Sequence, residues 1–160
     1  MNSYLKKLIQ DYKNKGLLID ANLLLLYIVG SFDIELVSRF SRTAKFTIDD
    51  FYIVSDFIDL FKLKITTPHI LTEVSNLIGN RDELQGLLII YIKTAEEKFL
   101  KSIKIAENNV FSKFGLADTA TIETAKDSYL IFTDDKPLYG YLINKGIDAV
   151  NFDDLRITLA

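Results

Sequence analysis

Two continuous apolar runs, each stopped by aspartate, constrain this chain more than any other feature. Leu17-Leu18-Ile19 leads into Asp20, and Tyr129-Leu130-Ile131-Phe132-Thr133 leads into Asp134 and Asp135. Neither run alternates apolar with polar residues, so both read as strands buried on two faces rather than strands with one wet face. Segments of helical spacing lie between them. Strand alternating with helix predicts an α/β fold, a three-layer α/β/α sandwich around a central, mostly parallel sheet of about four or five strands. In such a sheet the carboxyl ends of the strands share one edge, so carboxylates distant in sequence can converge there.

Apolar patterning predicts strands at 16–20, 63–66, 129–133 and 149–152, and a brief one at 101–105. Helices are expected at 21–29 (apolar nearly all round and ended by Gly30), 33–40, 68–79, 117–126 and 136–144, with a weakly helical stretch at 106–114. Thr47-Ile48-Asp49-Asp50 resembles a capping box opening another helix, which carries Phe51, Val54, Phe57, Ile58 and Phe61 at helical spacing. Thr67-Pro68 places a cap and a first-turn proline before the helix at 68–79. Asp82 begins a longer helical segment, 82–105, in which Ile89, Ile90 and Ile92 add more apolar bulk than a surface helix needs. A covered face or a homodimer contact accounts for them.

A length of 160 residues fits one domain, 1–160, large enough to bury a core. The longest apolar runs, 23–29 and 87–92, are too short to span a membrane, and the start Asn2-Ser3-Tyr4-Leu5-Lys6-Lys7 lacks the apolar core of a signal peptide. The absence of cysteine removes disulfide and thiolate chemistry and fits a reducing compartment, so a cytoplasmic protein without a membrane partner is expected. A net charge of −3 excludes general electrostatic affinity for nucleic acid. Two basic groups stand out, Lys6, Lys7, Lys13 and Lys15 near the start and then Arg39, Arg42 and Lys45. They are either solvated helix faces or phosphate contacts around an acidic site.

Four acidic segments carry the candidate chemistry. Asp20 either caps the following helix or ligates a cation. Glu73 lies in the second turn after Pro68, in a polar stripe with His69 and Asn76 opposite Ile70, Val74, Leu77 and Ile78; alone it also reads as an exposed glutamate. Asp118 follows Gly115-Leu116-Ala117 and can cap and ligate at once. In Thr133-Asp134-Asp135 one aspartate faces the next helix and leaves the other for chemistry, with Asp135 favoured as fourth ligand and Asp134 the alternative. Asn22, Thr133 and Thr119 are placed to orient carboxylates or waters. Carboxylates sharing one edge repel by roughly 4 kcal/mol per pair at 4 Å and an effective dielectric of 20, which invites a divalent cation. His69 is the only histidine, so neither a zinc site nor a Ser–His–Asp triad is credible, and the seven glycines form no phosphate loop. All-oxygen ligands suit Mg²⁺ or Mn²⁺. Such ions clamp a phosphodiester and activate water without a side-chain base.

Asp20-Ala21-Asn22, Glu73 after Thr67-Pro68-His69-Ile70-Leu71-Thr72, Asp118 after Gly115-Leu116-Ala117, and Thr133-Asp134-Asp135 together resemble the four acidic motifs of PIN-domain nucleases, in order and spacing. The resemblance implies an α/β/α fold, Mg²⁺- or Mn²⁺-dependent cleavage of single-stranded RNA with Asp20, Glu73, Asp118 and Asp135 as catalytic ligands, and frequent homodimers. Bacterial members are often toxins paired with an antitoxin protein. The 82–105 stretch is longer than in compact toxins, and Thr72-Glu73-Val74-Ser75-Asn76-Leu77 with Asn151-Phe152-Asp153-Asp154-Leu155-Arg156 is similar to a larger, uncharacterised PIN group whose substrate the resemblance does not supply. A receiver domain needs its acidic pair after the first strand rather than the last. A haloacid-dehalogenase phosphatase needs Asp-x-Asp where this chain has Asp20-Ala21-Asn22. Two alternatives stay open, a non-catalytic PIN-like binding or assembly module and a DNA-directed nuclease.

Overall fold

The computed structural model describes residues 1–159. Five parallel strands form one sheet: β1 (Leu17–Ile19), β2 (Lys64–Thr66), β3 (Glu96–Glu97), β4 (Leu130–Thr133) and β5 (Ala149–Asn151), in the order β3-β2-β1-β4-β5. Ten helices flank it as the outer layers of an α/β/α sandwich: α1 (Ser3–Tyr12), α2 (Ala21–Phe32), α3 (Leu36–Arg39), α4 (Ile48–Asp59), α5 (Pro68–Ile78), α6 (Asp82–Thr94), α7 (Ser102–Ala106), α8 (Phe111–Ala125), α9 (Lys136–Asn144) and α10 (Phe152–Leu159). No described helix is long and apolar enough to cross a membrane.

The register pairs Leu18 of β1 with Ile65 of β2 and with Ile131 of β4, and every residue of β1 and β4 is buried. Continuous apolar sequence at these strands follows from helices covering both faces. α2 buries residues around most of its circumference and packs against α4, α5 and α6. Gly30 does not end it. A Cβ there would fall 2.1 Å from Cδ2 of Phe51, so Gly30 is the point of closest approach to α4, and the helix continues to Phe32.

Two other expectations are corrected. The strand expected at 101–105 is the helix α7; Ile103 and Ile105 alternate like strand residues, but Ile105 is buried and Ile103 is 61% exposed. The real third strand is the acidic pair Glu96–Glu97, held by backbone pairing of Ile65 with Glu96 and Thr66 with Glu97. As an edge strand it has little need of apolar side chains. The helical segment expected over 82–105 is therefore broken. α6 stops at Thr94, whose hydroxyl donates to the carbonyls of Ile90 and Tyr91 while Ala95 turns extended. Ile89, Ile90 and Ile92 on α6 are exposed.

Two terminal helices have no counterpart in the sequence reading. α1 begins at Asn2, whose side chain accepts from the Leu5 amide, and buries Leu5, Leu8 and Tyr12. α10 docks on α4 through Arg156, whose Nε donates to Oδ1 of Asp50 at 2.7 Å and whose Nη2 donates to Oδ2 at 2.5 Å. Asp50 is also the reciprocal partner of Thr47 in the expected capping box. Burial alone would raise the Asp50 pKa, but the Arg156 guanidinium and the Thr47 hydrogen bonds outweigh it and hold the carboxyl below its ordinary range.

Candidate functional site

The strand order places a switch point between β1 and β4. The chain builds outward from β1 to β2 and β3, then returns to the other side of β1 with β4 and β5. Crevices outside the carboxyl ends of strands at such a point are where open α/β sheets bind ligands. Asp20 leaves β1 there, and Thr133, Asp134 and Asp135 leave β4.

Asp20 caps α2: Oδ1 accepts the Ala21 amide at 2.8 Å, and Oδ2 accepts the Thr133 hydroxyl at 2.6 Å. The fully buried Thr133 hydroxyl in turn accepts the Asp135 amide at 3.0 Å, locking the ends of β1 and β4 together. Asp135 caps α9, its Oδ1 accepting the Leu138 amide at 2.9 Å. It is thus the aspartate that faces the following helix. Asp134 turns the other way and accepts the Lys45 ammonium on Oδ2 at 2.6 Å, with the Asn22 amide 3.5 Å from its Oδ1.

Glu73 stands in the second turn of α5, the helix that follows β2. Asp118 lies three residues beyond Gly115, whose φ of 79° breaks α8 and lets the helix restart toward the edge. It sits inside the renewed helix rather than at its cap. Thr119 is fully buried, and its hydroxyl has no hydrogen-bond partner among the described residues, so it orients no carboxylate.

The four segments sense one another electrostatically. Burial pushes Asp20 up to about 6, against the pull of its bonds to Thr133 and Ala21, and the charges of Asp134 and Glu73 raise it further. Burial also pushes Asp118 up to about 7, reinforced by Asp20, Asp135 and Glu73. The Glu73 pKa is raised by loss of water around its carboxyl and then by Asp134. Asp134 acts on Asp20 and Glu73, and Asp135 acts on Asp118, so either oxygen set can complete an all-oxygen donor group. As the side chains stand, no three acidic or imidazole groups among the described residues are close enough to hold a metal ion, so coordination requires them to draw together. Their donor chemistry fits a hard divalent cation, and a cation would relieve the repulsion that raises their pKa values.

Lys45 is the contact at this site that sequence reasoning left undecided. It is 89 residues from Asp134, and its only signal is membership of the Arg39, Arg42 and Lys45 group. Of the other two, Arg39 pairs with Asp33 on the surface at 3.3 Å. A groove of about 520 Å³ opens beside Glu73, between α5 and the restart of α8. No protein-family model matches the chain, and no curated protein matches it either.

Proposed function

We propose that this protein is a PIN-like, metal-dependent endoribonuclease acting on single-stranded RNA. Asp20, Glu73 and Asp118, with Asp135 or Asp134 as the fourth carboxylate, would hold Mg²⁺ or Mn²⁺. When bound, such an ion supplies Lewis acidity and a water of lowered pKa for attack on a phosphodiester. Thr133 fixes the Asp20 carboxylate through its 2.6 Å hydrogen bond, and the Asp20 cap fixes the chain leaving β1. Lys45 brings a positive charge to an edge that must admit a polyanion. Asp118, raised first by burial and then by three neighbouring acids, gains most from a cation.

One observation carries this reading: at the switch point, Asp20 and Asp118 are raised by burial and by neighbouring acids. Carboxylates raised by burial and by like charge are candidates for a functional site. A toxin role with an antitoxin partner belongs to the same proposal, and the exposed Ile89, Ile90 and Ile92 support pairing of two copies. The test is cleavage of an end-labelled single-stranded RNA in Mg²⁺ or Mn²⁺, with single-stranded DNA of the same sequence beside it. RNA products with 5′-phosphates, lost in Asp20→Asn and Asp118→Asn, are expected. Preferential cutting of DNA would redirect the substrate. Intact RNA across metals and sequences would favour the rival, a non-catalytic binding module, for which the Lys45–Asp134 pair speaks because it already neutralises one acid.

A further inference from the structure

The groove beside the acidic edge has residues that the proposed chemistry leaves unused. Pro68, His69, Asn76 and Leu77 of α5 form one side, and Leu116 and Ala117 form the other. Glu73 belongs both to this groove and to the acidic cluster. The groove, of about 520 Å³, is broad and open to solvent, a shape that admits part of a chain rather than enclosing a small molecule. Leu77 and Leu116 give it apolar walls of the kind a flat ring can lie against. Its polar groups are few and distinctive. His69 and Asn76, four residues before and three after Glu73, share one helical face with it. The His69 ring lines the groove, while its Nδ1 is turned inward, buried and without a hydrogen-bond partner among the described residues. Asn76 is exposed and offers both a donor and an acceptor.

We infer that this groove receives one nucleobase of a single-stranded nucleic acid, the base beside the phosphodiester held at the acidic edge. The inference rests on the nuclease reading for the position of that phosphodiester. The apolar walls take the ring, Asn76 meets its polar edge and sets which base is preferred, and the His69 ring lies beside it as a reporter. A base in a duplex is stacked on both faces and paired on its edge, so only an unpaired strand can place one here.

The lone histidine makes the test direct, because its ring protons give one isolated set of proton resonances in the full chain. Adenosine, guanosine, cytidine and uridine carry no phosphate and need no metal, so they probe the groove independently of catalysis. Titrated without metal to about 10 mM, a range that detects millimolar affinity, at least one of them is expected to shift the His69 signals saturably and severalfold more tightly than the others. Asn76→Ala and Leu116→Ala should each weaken that binding at least fivefold. The ratio of kcat/KM among RNAs differing in the base next to the cut should fall severalfold in Asn76→Ala. Unmoved His69 signals with all four nucleosides, or equal shifts in wild type and both variants, overturn the groove. Saturable shifts without RNA cleavage keep the groove and remove the nuclease reading. Cleavage with unmoved His69 signals and an unchanged base preference removes the groove alone.

Discussion

Asp50 and Asp118 are both carboxylates drawn from water, and the fold treats them in opposite ways. Asp50 receives a two-pronged guanidinium from Arg156 and the Thr47 amide, so its pKa falls. Burial lifts the Asp118 pKa, and the acids Asp20, Asp135 and Glu73 around it carry it further, to about 7. A purely structural acid is neutralised by its surroundings, as Asp50 is. The switch-point edge carries the opposite arrangement, a local electrostatic cost that persists because the rest of the core tolerates it. That contrast, more than the presence of acids as such, separates the α4–α10 junction from the candidate site.

The largest effect expected from breaking the contrast is on activity. Asp118→Asn and Asp20→Asn should each lower RNA cleavage by about 100-fold or more, roughly 3 kcal/mol in the barrier, while circular dichroism remains that of the folded protein. Asparagine caps a helix as well as aspartate does, so loss of structure in Asp20→Asn would count against a chemical role. At the other pole, Arg156→Met leaves Asp50 buried and unpaired. Urea denaturation should then show a loss of about 2–3 kcal/mol, discounted from the fully buried case because Arg156 is partly exposed. An unchanged midpoint would mean that the pair is not what docks α10.

The two poles also differ in the sign of their pH dependence. Asp20 and Asp118 have raised folded-state pKa values, so their contribution to stability is fully present below the unfolded carboxylate range and is lost as pH rises toward about 6 and 7. Asp50 has a lowered value, so its contribution holds above that range and disappears only as pH falls through the folded value. Between pH 5 and pH 8, about 1–3 kcal/mol of stability should therefore drain away in the wild type, and less in Asp118→Asn. A thermal-melt series in which both proteins lose the same amount would contradict the assignment. Millimolar Mn²⁺ at pH 8 should restore about 1 kcal/mol, a rise of a few degrees in Tm that Asp118→Asn largely forfeits. The smallest effect belongs to Thr133→Val, which removes the hydroxyl between Asp20 and the Asp135 amide. A cost of about 1 kcal/mol is expected, with a further rise of the Asp20 pKa readable by carboxyl-carbon NMR.

What the sequence discloses of this molecule follows burial. β1 and β4 are legible because both faces of each are covered and their residues are apolar without a break. β3 is not, because an edge strand two residues long is specified by backbone pairing with Ile65 and Thr66 rather than by its own side chains. α1 goes unread although Leu5, Leu8, Ile9 and Tyr12 recur at helical spacing behind a capping Asn2. At the site, Asp20, Asp134 and Asp135 announce themselves by following strands and preceding helices, whereas Glu73 and Asp118 lie inside helices. Lys45 does not announce itself, since its pairing with Asp134 depends on how the start of α4 lies against the far end of β4, a relation no local pattern encodes. The division of labour between Asp134 and Asp135 is likewise a matter of backbone direction at the first turn of α9.

The hydrogen bond from Thr133 to Asp20 spans 113 residues. Closing so long a loop is slow and entropically demanding, and it can occur only after β4 exists. A growing chain on the ribosome therefore carries Asp20 and Glu73 long before it can assemble the edge they belong to. For a protein proposed to cut RNA, this timing is protective: the ribosome-bound chain is surrounded by RNA, yet stays unarmed until β4 has been made.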